Sequence, residues 1–352
     1  MQVTRIRRLL VFLATLLLVP ALVAAPGSAA PTLPGVPLNP LDQAALMSQV
    51  TPGLVDINTT LDYQGAVGAG TGIVLSPGGE ILTNNHVIEG ATQISATSLA
   101  DGRTYPVDVI GYDRANDIAL VRLNGAGPLP VAALGSSATV AVGDPIAAIG
   151  NAGGVGGVPS FSPGTVTELG AAVRASDEAG GGSRELTDLI RVAADIRPGD
   201  SGGPLVNSAG QVVGVNVAAT LTYQMGGVRG GEGFAIPIDR AIGIANQIRD
   251  GAASGSVHVG DTAFIGIAVA DIHGGVPGAV VRQTLPDTPA RNAGLMGGDV
   301  ITAIDGRPIN SASDLSDIMD QHHPGDAIAL TWTTRDGAVR TETLVLAKGP
   351  VG

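Results

Sequence analysis

Between Gly53 and about Val217 the chain repeats one short pattern. LVDINT, TGIVLS, EILT, TYPVDVIGY, DIALVRL, DPIAAIG, DLIRVAA and QVVGVNVA are each a few apolar and β-branched residues long, with Gly, Pro and Asn between them. No long helical segment intervenes, so a parallel sheet with helical crossovers is excluded. Short strands joined by turns pair antiparallel and bury their inner faces by closing a barrel or stacking as a sandwich. Glycine, 52 of 352 residues, stands well above its usual share of about 7%, which fits many turns.

The flanks differ. Arg5, Arg7 and Arg8 precede an apolar run, Leu9 to Val19, then Pro20 and the small residues ALVAAPGSAA. This is the layout of a secretory signal peptide over 1–30, cut after Ala29 or Ala30. It predicts a secreted or cell-envelope protein; an uncleaved leader acting as an anchor is the alternative. Residues 31–40, PTLPGVPLNP, read as a proline-rich extended arm. LDQAALMSQV has near-helical spacing and stops before Pro52, and Ile236 to Asp250 carry Ile238, Ala241, Ile242, Ala245 and Ile248 on one helical face. The β-rich unit therefore extends over 41–250. GAASGSVHVG, 251–260, is a flexible linker by composition, and 261–348 form a smaller unit of strands and two short helices.

Composition removes several functions. With 19 basic against 31 acidic residues and 3% aromatics, the chain lacks the basic face and the stacking platforms of a nucleic-acid binder. It has no cysteine, which excludes disulfides, thiolate catalysis and cysteine zinc sites. The glycine-rich loops NAGGVGGVP (151–159) and QMGGVRGGEG (224–233) lack the Lys-Ser or Lys-Thr that a phosphate cradle needs.

RPGDSGGP, Arg197 to Pro204, surrounds one hydroxyl with three glycines and two prolines. Read locally, it is a tight turn between strands. Read chemically, Ser201 is a nucleophile, and the Gly199 and Ser201 N–H groups can converge on an oxyanion hole. A serine needs a base, and the base needs an orienting carboxylate. Five histidines are present. His258 lies in the linker, His273 in DIHGG, and His322 and His323 at a helix end where they read as solvated. His86 instead follows an apolar strand in ILTNNHVI, and Asp117 precedes one in RANDIALVRL. Each alone reads equally as structural, a turn residue in the case of Asp117. Together they give the chain order His, Asp, Ser inside an all-β unit. The nucleophile elbow, G-x-S-x-G, matches the same letters, but it needs Ser first and a helix after it; here GGPLVNSAG and a strand follow.

TNNHVI, DIALVRL, GDSGGPLVN with QVVGVN, and GEGFAIP resemble the HtrA/DegP group of trypsin-fold serine proteases, most of all its secreted PepA-type members, over residues 45–346. The resemblance implies two six-stranded β-barrels, roughly 50–135 and 136–237, with His86, Asp117 and Ser201 in the cleft between them. Two positions depart from the pattern. Asp200 stands where many members have asparagine; in digestive proteases of this fold an aspartate here pairs with a newly cut N-terminus, and here local hydrogen bonds are expected instead. Asp195, in Ala193-Ala194-Asp195-Ile196, lies six residues before Ser201, where trypsin-like enzymes keep the acid of the primary pocket. Either it selects Lys or Arg, or it turns into a loop hydrogen bond and leaves a small apolar pocket walled by Val217, Ala218 and Ala219; the second reading is favoured.

FIGIAV, from Phe264, resembles the carboxylate-binding loop of PDZ domains, with GAVVRQTLPDTPARNAGLMGGDVITAIDGRPI and SASDLSDIMDQ completing the pattern. Phe264, Ile265, Gly266 and Ile267, with Leu315 and Met319 on the following helix, are then expected to take a peptide C-terminus as an added strand. The sequence thus reads as mainly β, a chymotrypsin/trypsin-like double barrel and a small α+β PDZ domain. The expected function is an exported serine endopeptidase acting, by resemblance, on unfolded or damaged proteins. It needs no metal or organic cofactor and is compatible with a homo-oligomer. The competing reading is a chaperone or adaptor that binds peptides and leaves its protease domain latent.

Overall fold

The short apolar runs become antiparallel strands whose inward residues are fully buried. The computed structural model describes residues 41–177, 183–217, 223–226, 231–272 and 277–352. The leader, the proline-rich arm, His273, Ala218 and Ala219 lie outside those residues.

Helix α1 (Gln43–Val50) is capped by the Asp42 carboxylate, which accepts the Ala45 N–H. Strands β1 (Leu54–Leu61), β2 (Ala66–Val74), β3 (Glu80–Thr83), β4 (Gln93–Ser98), β5 (Thr104–Asp113) and β6 (Ile118–Leu123) follow, with the single-turn helix α2 (Asn85–Ile88) after β3. β5 pairs with both β4 and β6, so these six strands close on themselves around Val55, Ile57, Ile81 and Val121. The second ring uses β7 (Pro145–Gly150), β8 (Ser160–Asp177), β9 (Ser183–Ala193), β10 (Pro204–Asn207), β11 (Val212–Val217) and, after the short β12 (Tyr223–Gly226) on the outside of β8, β13 (Gly233–Pro237). It closes through β8 and β9. Helix α3 (Ile238–Arg249) then lays Ile238, Ala241, Ile244, Ala245 and Ile248 into the core. Ile242, expected on that face, is only partly buried.

The segment read as a flexible linker is ordered in part. Strand β14 (Val257–Val259) pairs with β5. His258 is 1% exposed and lies between the rings of Tyr112 and His323, each 5.0 Å away. Its Nδ1 is 2.7 Å from the Asp320 carbonyl and its Nε2 3.1 Å from the Asp261 carbonyl. The Asp320 carboxylate accepts from Tyr112 Oη at 2.9 Å and Arg114 Nη2 at 3.0 Å. Burial pushes the Asp320 carboxyl upward, against the pull of Arg114. Composition suggested freedom because the glycines and serines are near in sequence, whereas these partners are distant.

The last unit has an antiparallel sheet of Ile267–Asp271, Ala279–Thr284, Val300–Ile304, Ala327–Thr333 and Val339–Val345. Helices α4 (Pro289–Asn292) and α5 (Ala312–Met319) accompany it, the latter capped by the Ser311 hydroxyl. Trp332, fully buried, anchors its core. No helix among the described residues is long and apolar enough to cross a membrane.

Candidate active site

β3 and β6 run antiparallel with Thr83 opposite Ala119. The end of β3 therefore lies beside the start of β6, and this joins two residues far apart in sequence. Asn84 leaves β3, and His86 sits in the turn of α2. Asp117 immediately precedes β6 with φ 54°, a left-handed conformation that aspartate tolerates better than most residues. Asp117 Oδ2 is 2.8 Å from His86 Nδ1, and Oδ1 accepts the His86 backbone N–H at 2.9 Å. Asn84 Nδ2 holds the Asp117 carbonyl at 2.9 Å. The two side chains are 3% and 2% exposed. A carboxylate facing Nδ1 selects the tautomer with the proton there, which leaves Nε2 as the basic nitrogen.

Ser201 lies in the turn between β9 and β10 and is fully buried. Thr71 of β2 donates its N–H to the Ser201 carbonyl at 2.8 Å. A Cβ placed on Gly70 would meet Val87 Cγ1 at 2.6 Å and the Ser201 carbonyl at 3.2 Å. The Ser201 backbone and the residue after His86 thus pack on the same glycine.

Each carbonyl from Pro198 to Ser201 has a partner. Pro198 O accepts from Gly153 N at 2.7 Å, Gly199 O from Thr71 Oγ1 at 2.8 Å, Asp200 O from Gly203 N at 3.0 Å, and Ser201 O from Thr71 N at 2.8 Å. In a planar trans peptide the N–H points opposite the C=O, so these bonds also aim the Gly199 and Ser201 N–H groups. Among the described residues, nothing accepts a hydrogen bond from the Gly199 N–H. A groove of about 940 Å³ opens here, lined by His86, Val87 and Gly199 together with Thr59, Leu61 and Tyr105.

Asp200 finds local partners, Ser160 Oγ at 2.6 Å and the Arg197 N–H at 2.9 Å. Burial raises its carboxyl above the ordinary range, with both hydrogen bonds opposing. Asp195 faces outward, half exposed, and pairs with Arg197, whose Nε is 2.7 Å away. This pairing matches the loop hydrogen bond of the second reading. Val217 is buried at the end of β11.

In the last unit Gly266 has φ +83°, and its carbonyl accepts from Leu285 N at 2.9 Å while the Ile265 carbonyl accepts from Ala290 N at 2.9 Å. Ile265 and Leu315 are 4% exposed and belong to the core, with Met319 and Ile267 packed against it. The Phe264 ring stacks on Tyr63 of the β1–β2 turn, centroids 5.7 Å apart. The sequence reading missed Thr71, Asn151 and Asp56. Asp56 is 4% exposed beside the glycine-rich turn; burial raises its carboxyl to about 6, opposed by the Gly157 N–H.

A trypsin-like peptidase domain model matches residues 70–215, and a PDZ domain model matches residues 263–346. The solved HtrA-type protease AlgW with decapeptide is 27% identical, with a TM-score of 0.50 over 87% of this chain and 98% of that one. Serine protease PepD of Mycobacterium tuberculosis is 38% identical over 334 residues, 91% of this chain and 69% of PepD. The chain belongs to the HtrA family of serine proteases. Within that family, the serine endoprotease DegS of Escherichia coli is 33% identical over 267 residues, 74% of this chain and 71% of DegS. A DegP-like periplasmic endoprotease of Pseudomonas savastanoi is 35% identical, but the chain spans only 56% of its length.

Proposed function

We propose that the chain is an exported endopeptidase in which His86, Asp117 and Ser201 form a catalytic triad. The observation that carries this reading is the buried 2.8 Å contact between His86 Nδ1 and Asp117, with the Ser201 turn packed on the same glycine as the His86 turn. His86 Nε2 takes the Ser201 proton as Oγ forms a bond to the peptide carbonyl carbon. Asp117 holds the tautomer and stabilises the imidazolium. The Gly199 and Ser201 N–H groups take the oxyanion. The carbon–nitrogen bond breaks as His86 returns the proton to the leaving amine, and water, deprotonated by His86, releases the acyl group by the same route. The 261–348 unit, a PDZ domain, presents Phe264 to Ile267 to peptide C-termini. Unfolded or damaged polypeptides in the cell envelope or outside the cell fit an open groove and the likeness to DegP-like periplasmic endoproteases. The test is Ser201→Ala: casein cleavage falls by about 10⁶ with folding intact. Retained cleavage overturns the reading.

A further inference from the structure

Thr71 joins the nucleophile turn at two carbonyls and also reaches the glycine-rich loop. Its N–H donates to Ser201 O at 2.8 Å and its hydroxyl to Gly199 O at 2.8 Å, while the hydroxyl oxygen accepts from Asn151 N at 2.9 Å. Its carbonyl accepts from Thr83 Oγ1 at 2.8 Å, at the end of the strand that leads to His86. The side chain is fully buried.

We propose that Thr71 is a positioning residue for the oxyanion-binding backbone, an inference that rests on the triad reading above. Thr71 acts on peptide planes. The Gly199 N–H belongs to the Pro198–Gly199 peptide, whose carbonyl is held by Gly153 N at 2.7 Å. Gly153 lies in a turn that begins at Asn151, closed by Gly154 N to Asn151 O at 2.8 Å. Thr71 Oγ1 holds the Asn151 N–H at the start of that turn. The same oxygen also fixes the peptide on the other side of Gly199. One hydroxyl thus anchors both planes that flank a glycine at φ 96°, a residue with little rotational resistance of its own. Without it, the plane before Gly199 keeps the Gly153 bond and the plane after it keeps Asp200 N to Arg197 O at 2.9 Å, but the oxygen that ties both to the first barrel is gone, and the Gly199 N–H swings away from where negative charge develops. Ground-state binding in the groove does not use this N–H in the same way, so the loss falls on the transition state.

The experiment compares Thr71→Val, which keeps the shape and loses the hydroxyl, with Thr71→Ser, which keeps the hydroxyl. A valine-terminated peptide p-nitroanilide reports kcat and KM, and the matching peptide boronate reports binding of a tetrahedral adduct at Ser201. Thr71→Val should lose about 10–100-fold in kcat and in boronate affinity, with KM within about twofold; Thr71→Ser should restore most of both. Wild-type kcat and boronate affinity in Thr71→Val overturn the proposal. Equal losses in Thr71→Val and Thr71→Ser overturn it too, since they mark a packing role for the methyl group. If Thr71→Val does not fold, Thr71→Ala takes its place with the same expected loss, and wild-type turnover there is equally fatal. Fluorophosphonate labelling separates the two levels. A wild-type chain unlabelled at Ser201 sinks the triad and this inference together, whereas a labelled wild type beside an unimpaired Thr71→Val sinks this inference alone.

Discussion

Two loops of this molecule turn at a left-handed glycine, and they are held in opposite ways. Gly199 has φ 96° and Gly266 φ 83°. Around Gly199 the groups that hold the carbonyls on either side come from elsewhere: Thr71 from the first barrel and Gly153 from the turn after β7. Around Gly266 they come from within the same unit, Leu285 N and Ala290 N, with Thr288 packed where a side chain would go. The first barrel reaches this second loop through an aromatic stack, Tyr63 on Phe264. On the proposed reading, the Gly199 loop is thus set for an oxyanion only when both barrels are assembled. The PDZ loop carries its geometry with it, and the barrel touches it from outside.

Methyl groups added at the two glycines test that contrast. At Gly199 a Cβ would stand 2.0 Å from the Asn151 carbonyl, so Gly199→Ala must rotate the peptide whose N–H is proposed to bind the oxyanion. Turnover of the peptide p-nitroanilide should fall about 10²–10³-fold, with C-terminal peptide binding unchanged by fluorescence anisotropy. At Gly266 a Cβ would stand 2.2 Å from Thr288 Cβ. Gly266→Ala should weaken the PDZ unit by about 2–3 kcal/mol and abolish peptide binding, with turnover of the small substrate within about twofold of wild type. Loss of both activities in either variant would mean that the loops are not held separately.

A smaller effect comes from acid. Asp56 is buried beside the turn that carries Gly156 and Gly157, and its carboxyl titrates at about 6, above the ordinary 3.8. The folded protein therefore binds this proton more tightly than the unfolded chain does. Its contribution to stability is fully present below the unfolded value and is lost as pH rises through about 6. Relative to Asp56→Asn, which cannot titrate, the wild-type chain should gain on the order of 1–2 kcal/mol between pH 7 and pH 4, read from denaturant midpoints. Parallel curves for the two proteins would remove Asp56 from the account.

Much of this was legible in the sequence where the cause is local. The eight strand runs appear as β1, β2, β3, β5, β6, β7, β9 and β11, and the amphipathic stretch from Ile238 as α3, because side-chain periodicity fixes which face is buried; β4, β8 and β10 were not among those runs. His86 and Asp117 could be picked out because each flanks an apolar strand, and strand pairing then joins their ends. Thr71 could not be. In AVGAGTGIV it is one more β-branched residue, and its meaning comes from Gly199, 128 positions away. The packing of His258 was hidden for the same reason: its partners Tyr112 and Asp320 lie far off on either side of a stretch that reads as linker. Asp195 left two readings open, since counting back from Ser201 cannot tell an inward carboxylate from one that pairs with Arg197 at the surface.

The most direct test of the central claim is the crystal structure of the chain after reaction with a peptidyl diphenyl phosphonate. The account predicts phosphorus bonded to Ser201 Oγ, a phosphoryl oxygen within hydrogen-bond reach of the Gly199 and Ser201 N–H groups, and His86 Nε2 beside the adduct with Nδ1 still on Asp117. Phosphorus on another residue, or a Ser201 adduct turned away from His86, would contradict it.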